Sequence, residues 1–249
     1  MRLARDVASL TYRWQIPLFA QLNANVQFQE LDRSFKGPRF DERSQLYEWL
    51  SQSLGQVAID YLEFGVYRGE TLRAWSRLNS NPESRLFGFD SFEGLPEDWR
   101  PGKRRGIFKT EPPEIQDGRC RLIKGLFQET LYPFMDEFQP HGQLIVHIDA
   151  DLYSSALFCL AVMNRRLTPG SIVIFDEFYD LMNEFAAFRD WSRAFYKRCA
   201  ILACTQRCAQ VALSVVEGNG RAEQRGGAQG LRSASTTSCN GSHGAGFSR

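Results

Sequence analysis

Net charge is nearly absent from this chain: 30 Lys and Arg against 29 Asp and Glu leave +1 over 249 residues. No global field therefore draws it to nucleic acid or to an anionic membrane. Long apolar runs are lacking too, so no stretch reads as a transmembrane helix. The N-terminal "MRLARDVASLTYRWQIPLFA" begins basic, yet Arg13 and Gln15 interrupt its apolar part, which makes a poor secretory signal. The six cysteines show no metal pattern. Cys199, Cys204 and Cys208 run as C-x4-C-x3-C with no nearby His, and Cys120, Cys159 and Cys239 are scattered. Buried free thiols in a reducing cytosol are the expectation, and with them a cytoplasmic location. An internal repeat of fixed period is missing, as is the G-x-G-x-x-G fingerprint of dinucleotide folds.

What is present is a globular composition, 43% hydrophobic and 24% charged. Residues 1–55 read as a mostly helical segment, in which Leu46, Trp49, Leu50 and Leu54 form one apolar stripe. Over 56–216 strands and helices alternate. "VAIDYLEFG", "SRLFGFD", "CRLIK", "QLIVHID" and "PGSIVIFDEF" read as strands separated by amphipathic helices, and "CAILACT" and "QVALSVV" as two closing strands. Repeated β-α units imply a parallel α/β sheet with helices on both faces. Residues 217–249 are rich in Gly and Ser, with Leu231 and Phe247 the only large apolar residues, and read as a disordered tail.

In open α/β sheets ligands bind beyond the carboxyl ends of the strands, and here each end carries a suggestive residue. Glu63 ends the first strand, and Gly65 and Gly69 flank the turn that follows; glycine permits positive φ and close approach of a ligand. Asp90 ends the second strand, where a carboxylate suits a ribose diol, the alternative being a helix N-cap or Asx-turn. The fourth and fifth strands end in Asp149 and Asp151, then Asp176 and Glu177. Carboxylates gathered in one cleft repel each other unless a cation neutralises them, and a hard divalent ion such as Mg²⁺ is the expected solution for Asp149 with Asp176. Asp151 reads as the cap of the next helix. His147 shares the face of Asp149 but lies about 7 Å behind the strand end, so a satisfied core histidine is expected. The 91–119 connection is long enough to be a lid, with Trp99 and Phe108 to cover a ligand and Lys103, Arg104 and Arg105 to meet an anion.

Taken in order and spacing, "LEFGVYRGET", "FGFDSFEGLPE", "HIDADLYSS" and "PGSIVIFDEF" resemble the macrocin O-methyltransferase family over about residues 43–216. The resemblance implies a Rossmann-like, seven-stranded class I methyltransferase sheet with an antiparallel last strand, and S-adenosylmethionine as cofactor. It implies that Glu63 and Gly65 sit against the methionine part of the cofactor, that Tyr67, Gly69 and Thr71 also bind it, that Asp90 holds its ribose, and that Ser91, Phe92 and Gln128 lie near the adenine. It also implies Mg²⁺ on Asp149, Asp176 and Glu177, with Asp149 as base. Family members often carry two Asp at the last pair, where this chain has Asp-Glu. The implied acceptor is a small-molecule hydroxyl on a sugar or polyketide-type compound; homo-oligomerisation stays open. Rival readings are a metal-independent methyltransferase of the same fold and a nucleoside-binding protein without catalysis. A nicotinamide-dependent oxidoreductase is a weaker rival, since the three-glycine fingerprint is missing.

Overall fold

A computed structural model describes residues 2–217, with side chains from residue 18 onward. The tail expected to be disordered lies, from residue 218, outside the described residues. Two helices, α1 (Arg2–Ser34) and α2 (Arg43–Leu54), fill the N-terminal segment, separated by a two-residue strand β1 (Arg39–Phe40). The alternating part follows as β2 (Ile59–Phe64), α3 (Glu70–Leu78), β3 (Arg85–Asp90), β4 (Cys120–Lys124), α4 (Phe127–Glu137), β5 (Gln143–Ile148), α5 (Tyr153–Met163), β6 (Ile172–Phe175) and α6 (Glu184–Ala194). The antiparallel pair β7 (Arg198–Thr205) and β8 (Val211–Val216) closes the chain, joined through a 3-10 turn at Gln206–Cys208.

All strands form one sheet in the order β1-β7-β8-β6-β5-β2-β3-β4. The strands from β6 through β4 are parallel, and β8 runs antiparallel to both β6 and β7. This is the expected seven-stranded arrangement with one addition. The short β1 pairs with β7 through Arg39 opposite Cys204, making eight strands. Two residues carry no readable period, which is why the sequence did not announce it.

The central strands are buried along their length, as parallel strands covered on both faces must be. Alternate residues feed two cores. Leu62, Phe64, Val146, Ile148, Val173 and Phe175 face one, packed by α1, α4, α5 and α6. Ile59, Tyr61, Ile145, Ile172 and Ile174 face the other, covered by Leu46, Tyr47 and Leu50 of α2 and by Leu72 and Trp75 of α3. At the amino end of the sheet Asp60 is fully buried and accepts hydrogen bonds from Arg85 Nε at 2.7 Å, His141 N at 2.7 Å and Gly142 N at 2.9 Å. That pins β2, β3 and β5 together and fixes the register that brings their opposite ends level.

Candidate active site

At the carboxyl end the chain leaves β2, β3, β4, β5 and β6 through five neighbouring turns, and these enclose a cavity of about 300 Å³. The order of the strands divides it. Turns after β2, β3 and β4 form one half, and those after β5 and β6 the other. The chain reverses its direction of travel across the sheet between β2 and β5, which is where open α/β sheets hold ligands.

In the first half Gly65, at φ 102°, passes so close to the end of β5 that a Cβ there would sit 1.8 Å from the Asp149 carbonyl oxygen. No other residue fits. Tyr67, Asp90, Ser91, Phe127 and Gln128 line the cavity beside it. The Asp90 carboxylate is already engaged: Oδ2 accepts from Val66 N at 2.9 Å and Tyr67 N at 2.8 Å, and Oδ1 from Phe92 N at 2.7 Å. It therefore shapes the glycine turn and makes an Asx-turn of its own. A carboxylate has about four lone-pair sites, so one direction on Oδ1 stays open.

Four residues expected at the cofactor do not line this cavity. Glu63 is buried beneath it, with Oε2 accepting from Tyr61 Oη at 3.1 Å and Oε1 left without a partner. Burial pushes its carboxyl well above the usual range. Gly69 caps the start of α3 in left-handed geometry and abuts Pro113. Thr71 is buried on α3, and Phe92 is 1% exposed in the core. Their positions in the motif are tied to folding the turns.

The second half is acidic. Asp149, Asp151, Asp176 and Glu177 all line it. Asp149 reaches the cavity surface, yet burial, together with the charges of Asp176 and Glu184, raises its carboxyl well above the ordinary range. Asp176 receives Tyr47 Oη on Oδ1 at 3.3 Å and Arg43 Nη1 on Oδ2 at 3.5 Å. Burial raises Glu177, and its Oε2 has no hydrogen-bond partner. Glu184, fully buried in the first turn of α6, ties the two acidic turns together by accepting Ala150 N at 3.3 Å and Glu177 N at 3.0 Å.

Asp151 corrects the sequence reading. It does not cap α5; Asn183 Oδ1 accepts the Tyr153 N–H at 3.1 Å instead. Asp151 stands in left-handed backbone at φ 59°, partly exposed on the cavity wall. Burial and the charges of Glu177 and Asp176 push its carboxyl up to about 7, against the pull of Arg100. His147 is a core residue as expected, 0% exposed, with Nδ1 at 2.7 Å from Tyr61 Oη and its pKa lowered to about 4 by burial. Its Nε2 has no partner, so it is only half satisfied. From the long connection Leu95, Trp99, Arg100, Lys103 and Phe108 close over the cavity. Arg104 and Arg105 do not line it.

Sequence reasoning missed Arg43, Tyr47, Arg100 and Glu184. The first two sit on α2, 133 and 129 residues before Asp176. Only the alternation of α2 between an apolar stripe and a polar edge pointed toward the sheet, and that says nothing about which strand end it meets.

The chain resembles proteins of known activity in sequence and in fold. Residues 62–178 match a family model described as a methyltransferase domain. The O-methyltransferase NovP superposes with a TM-score of 0.56 at 19% identity, over 70% of this chain and 80% of that one. CalS11, a calicheamicin methyltransferase, gives 0.55 at 21% identity over 78% and 91%. The fold is thus the one these two O-methyltransferases share. A curated relative, the 8-demethyl-8-(2,3-dimethoxy-alpha-L-rhamnosyl)-tetracenomycin-C 4'-O-methyltransferase of Streptomyces olivaceus, is 29% identical over 142 residues, 48% of this chain. The chain spans about half the length of that relative, 52%. Among the described residues no helix is long and apolar enough to cross a membrane.

Proposed function

We propose that this chain is an S-adenosylmethionine-dependent O-methyltransferase acting on a hydroxyl of a sugar or natural-product acceptor. One observation carries the reading: the Gly65 turn, Asp90 and Gln128 share a single cavity with Asp149, Asp151 and Asp176. A nucleoside site thereby meets a set of proton acceptors. The match of 62–178 to a methyltransferase domain supports it, as does the resemblance to the macrocin O-methyltransferases. The relative from Streptomyces olivaceus is named for methylating a rhamnosyl group, which favours a sugar hydroxyl here.

The residues present fit the cofactor. Gly65 lets its backbone come against the ligand, Asp90 offers one open direction on Oδ1 to a ribose hydroxyl, and Phe127 and Gln128 flank the base. S-adenosylmethionine supplies, when bound, a methyl group on a positively charged sulfur. An acidic cavity, with five carboxylates against Arg43, Arg100 and Lys103, suits that charge. Methylation of the acceptor oxygen would release its proton, and a carboxylate on the acidic wall would take it. Asp151 is placed for this step. It is free of capping duty, partly exposed, and held in a backbone conformation that costs Asp about 1 kcal/mol or more and persists where the surroundings enforce it. Asp149, the base expected from the sequence, stands beside it. Trp99 and Phe108 close the site against water, and in-line placement of the oxygen supplies much of the rate.

The Mg²⁺ expectation fits less well. Asp149, Asp176 and Glu177 are the oxygen donors a hard cation takes. As placed, however, no three His, Cys, Asp or Glu side chains among the described residues are grouped to hold a metal ion, and Asp176 is paired with Arg43 and Tyr47. The test of the proposed activity is to incubate the full chain with S-adenosylmethionine and a panel of sugars, glycosylated polyketides and catechols. S-adenosylhomocysteine and a methylated acceptor should form together with a sugar-bearing compound. Methylation of catechols alone would favour the rival acceptor class, and cofactor binding without product from any acceptor would favour a non-catalytic binding protein.

A further inference from the structure

The cluster that the proposed activity leaves unused lies at the far edge of the sheet, where C-x4-C-x3-C folds back on itself. Cys204 is the penultimate residue of β7 and Cys208 closes the 3-10 turn that follows; their sulfurs are 3.4 Å apart and both residues are 0% exposed. Buried thiols at van der Waals distance are common. This pair is set among charges. Cys208 Sγ lies 3.2 Å from Asp32 Oδ1 and 3.6 Å from Arg39 Nη1, and Arg39 in turn binds Asp32 at 2.7 Å. The Cys208 thiol can donate toward Cys204, and with the Arg39 guanidinium this lowers the Cys204 pKa; the Cys208 thiol is held protonated. The two sulfurs face each other across the turn, with the Arg39 guanidinium beside them. By contrast, burial pushes Cys199 up to about 12 and Cys120 up to about 11.

The turn between the two sulfurs is strained. Arg207 and Cys208 are consecutive non-glycine residues in left-handed backbone, at φ 57° and φ 50°. Each costs about 1 kcal/mol or more, and Gln206 and Arg207, which lie between the two cysteines, are exposed. The other end of the same turn reaches the acidic wall. Gln210 Nε2 donates to the Asp176 carbonyl at 2.8 Å, and Phe178 N donates to the Ala209 carbonyl at 2.8 Å.

We propose that Cys204 and Cys208 are an oxidation site, closing to an intramolecular disulfide under hydrogen peroxide. The Cys204 thiolate attacks a peroxide oxygen, the O–O bond breaks, and the sulfur becomes a sulfenic acid while the departing hydroxide takes a proton to leave as water. The Cys208 sulfur then displaces the sulfenic hydroxyl as a second water, its own proton going to that leaving group. Two thiols and one peroxide give one disulfide and two waters. Bringing the sulfurs from 3.4 Å to a bond length of about 2 Å draws Cys208 away from Asp32 and pulls on Ala209 and Gln210. The site works independently of the methyl-transfer reading.

Reduced full-length chain is treated with hydrogen peroxide in slight molar excess, blocked with N-ethylmaleimide, digested with trypsin and mapped by tandem mass spectrometry. The peptides 199–207 and 208–221 should appear joined, with Cys199 alkylated, and should separate on reduction. Hydrogen exchange in 176–180 should rise in the oxidised chain. The Cys208→Ser variant should show neither change, and its Cys204 should instead trap a dimedone sulfenic-acid probe. The proposal is overturned if Cys204 and Cys208 both stay alkylatable while the more exposed Cys120 oxidises, or if the link found joins Cys199.

Discussion

Asn183 Oδ1 accepts the Tyr153 N–H at 3.1 Å, so the loop before α6 caps α5 and Asp151 is released to the cavity wall. An acid two residues ahead of a helix reads locally as its cap. The actual partner lies 30 residues further along the chain and reaches the helix only once β5 and β6 are side by side. Asp151→Asn should therefore leave the fold intact and lower the methyl-transfer rate by about 10²–10⁴-fold, with affinity for S-adenosylhomocysteine unchanged. Asn183→Ala should cost stability, about 1 kcal/mol by denaturant unfolding. If Asp151→Asn destabilises the chain by that amount and keeps its rate, the cap reading is restored.

Asp90 serves the turn before it serves a ligand. Removing it leaves the Val66, Tyr67 and Phe92 N–H groups without their acceptor. Asp90→Ala is expected to lower stability by about 1–3 kcal/mol and to abolish measurable S-adenosylhomocysteine binding in calorimetry. A variant that unfolds at the same denaturant midpoint as the parent and still binds would show that neither role is real.

Arg43 is the cation placed against Asp176. Its loss leaves Asp149, Asp176 and Glu177 repelling each other without a neighbouring cation. Arg43→Ala should reduce the rate by about 10²-fold while S-adenosylhomocysteine binding is retained, and Arg43→Lys should recover part of the rate. EDTA should leave cofactor affinity unchanged in both. A parent enzyme whose cofactor binding collapses on chelation would require the carboxylates to close on a metal after all.

At the other end of the sheet Asp60 tests the scaffold. Its carboxyl lies below the usual range: burial acts against ionisation, and the Arg85 hydrogen bond with the Gly142 and His141 N–H groups outweighs it. A folded pKa below the unfolded one means that the stabilisation is present above the unfolded value of about 4 and fades as pH falls through the folded value. Asp60→Asn should lose about 1–3 kcal/mol at neutral pH. Its stability should then change less between neutral pH and strong acid than that of the parent, measured by urea unfolding across pH. A parallel pH dependence in both would remove Asp60 from the account.

Much of this was legible in the chain because apolar runs stop at acids. Phe64, Phe89, Ile148 and Phe175 stand beside Gly65, Asp90, Asp149 and Asp176, and the order of the runs gives the order of the turns around the cavity. What was not legible depended on distant partners. Glu184 looks like an ordinary acid in the first turn of a helix, yet it bonds the peptide N–H groups of two other turns. Tyr47 is not among the stripe residues read on α2, and only the packing of α2 against the sheet delivers its hydroxyl to Asp176. Thr71 and Phe92 carry the motif's spacing but point their burial into the scaffold. A motif preserves the fold of a turn as strictly as it preserves a contact.

Calorimetric titration of the full chain with S-adenosylhomocysteine tests the central claim most directly. The expected result is one equivalent bound by the parent, the same by Asp151→Asn, and none by Asp90→Ala. A parent chain that takes up no S-adenosylhomocysteine would contradict the assignment of the cavity and of every role built on it.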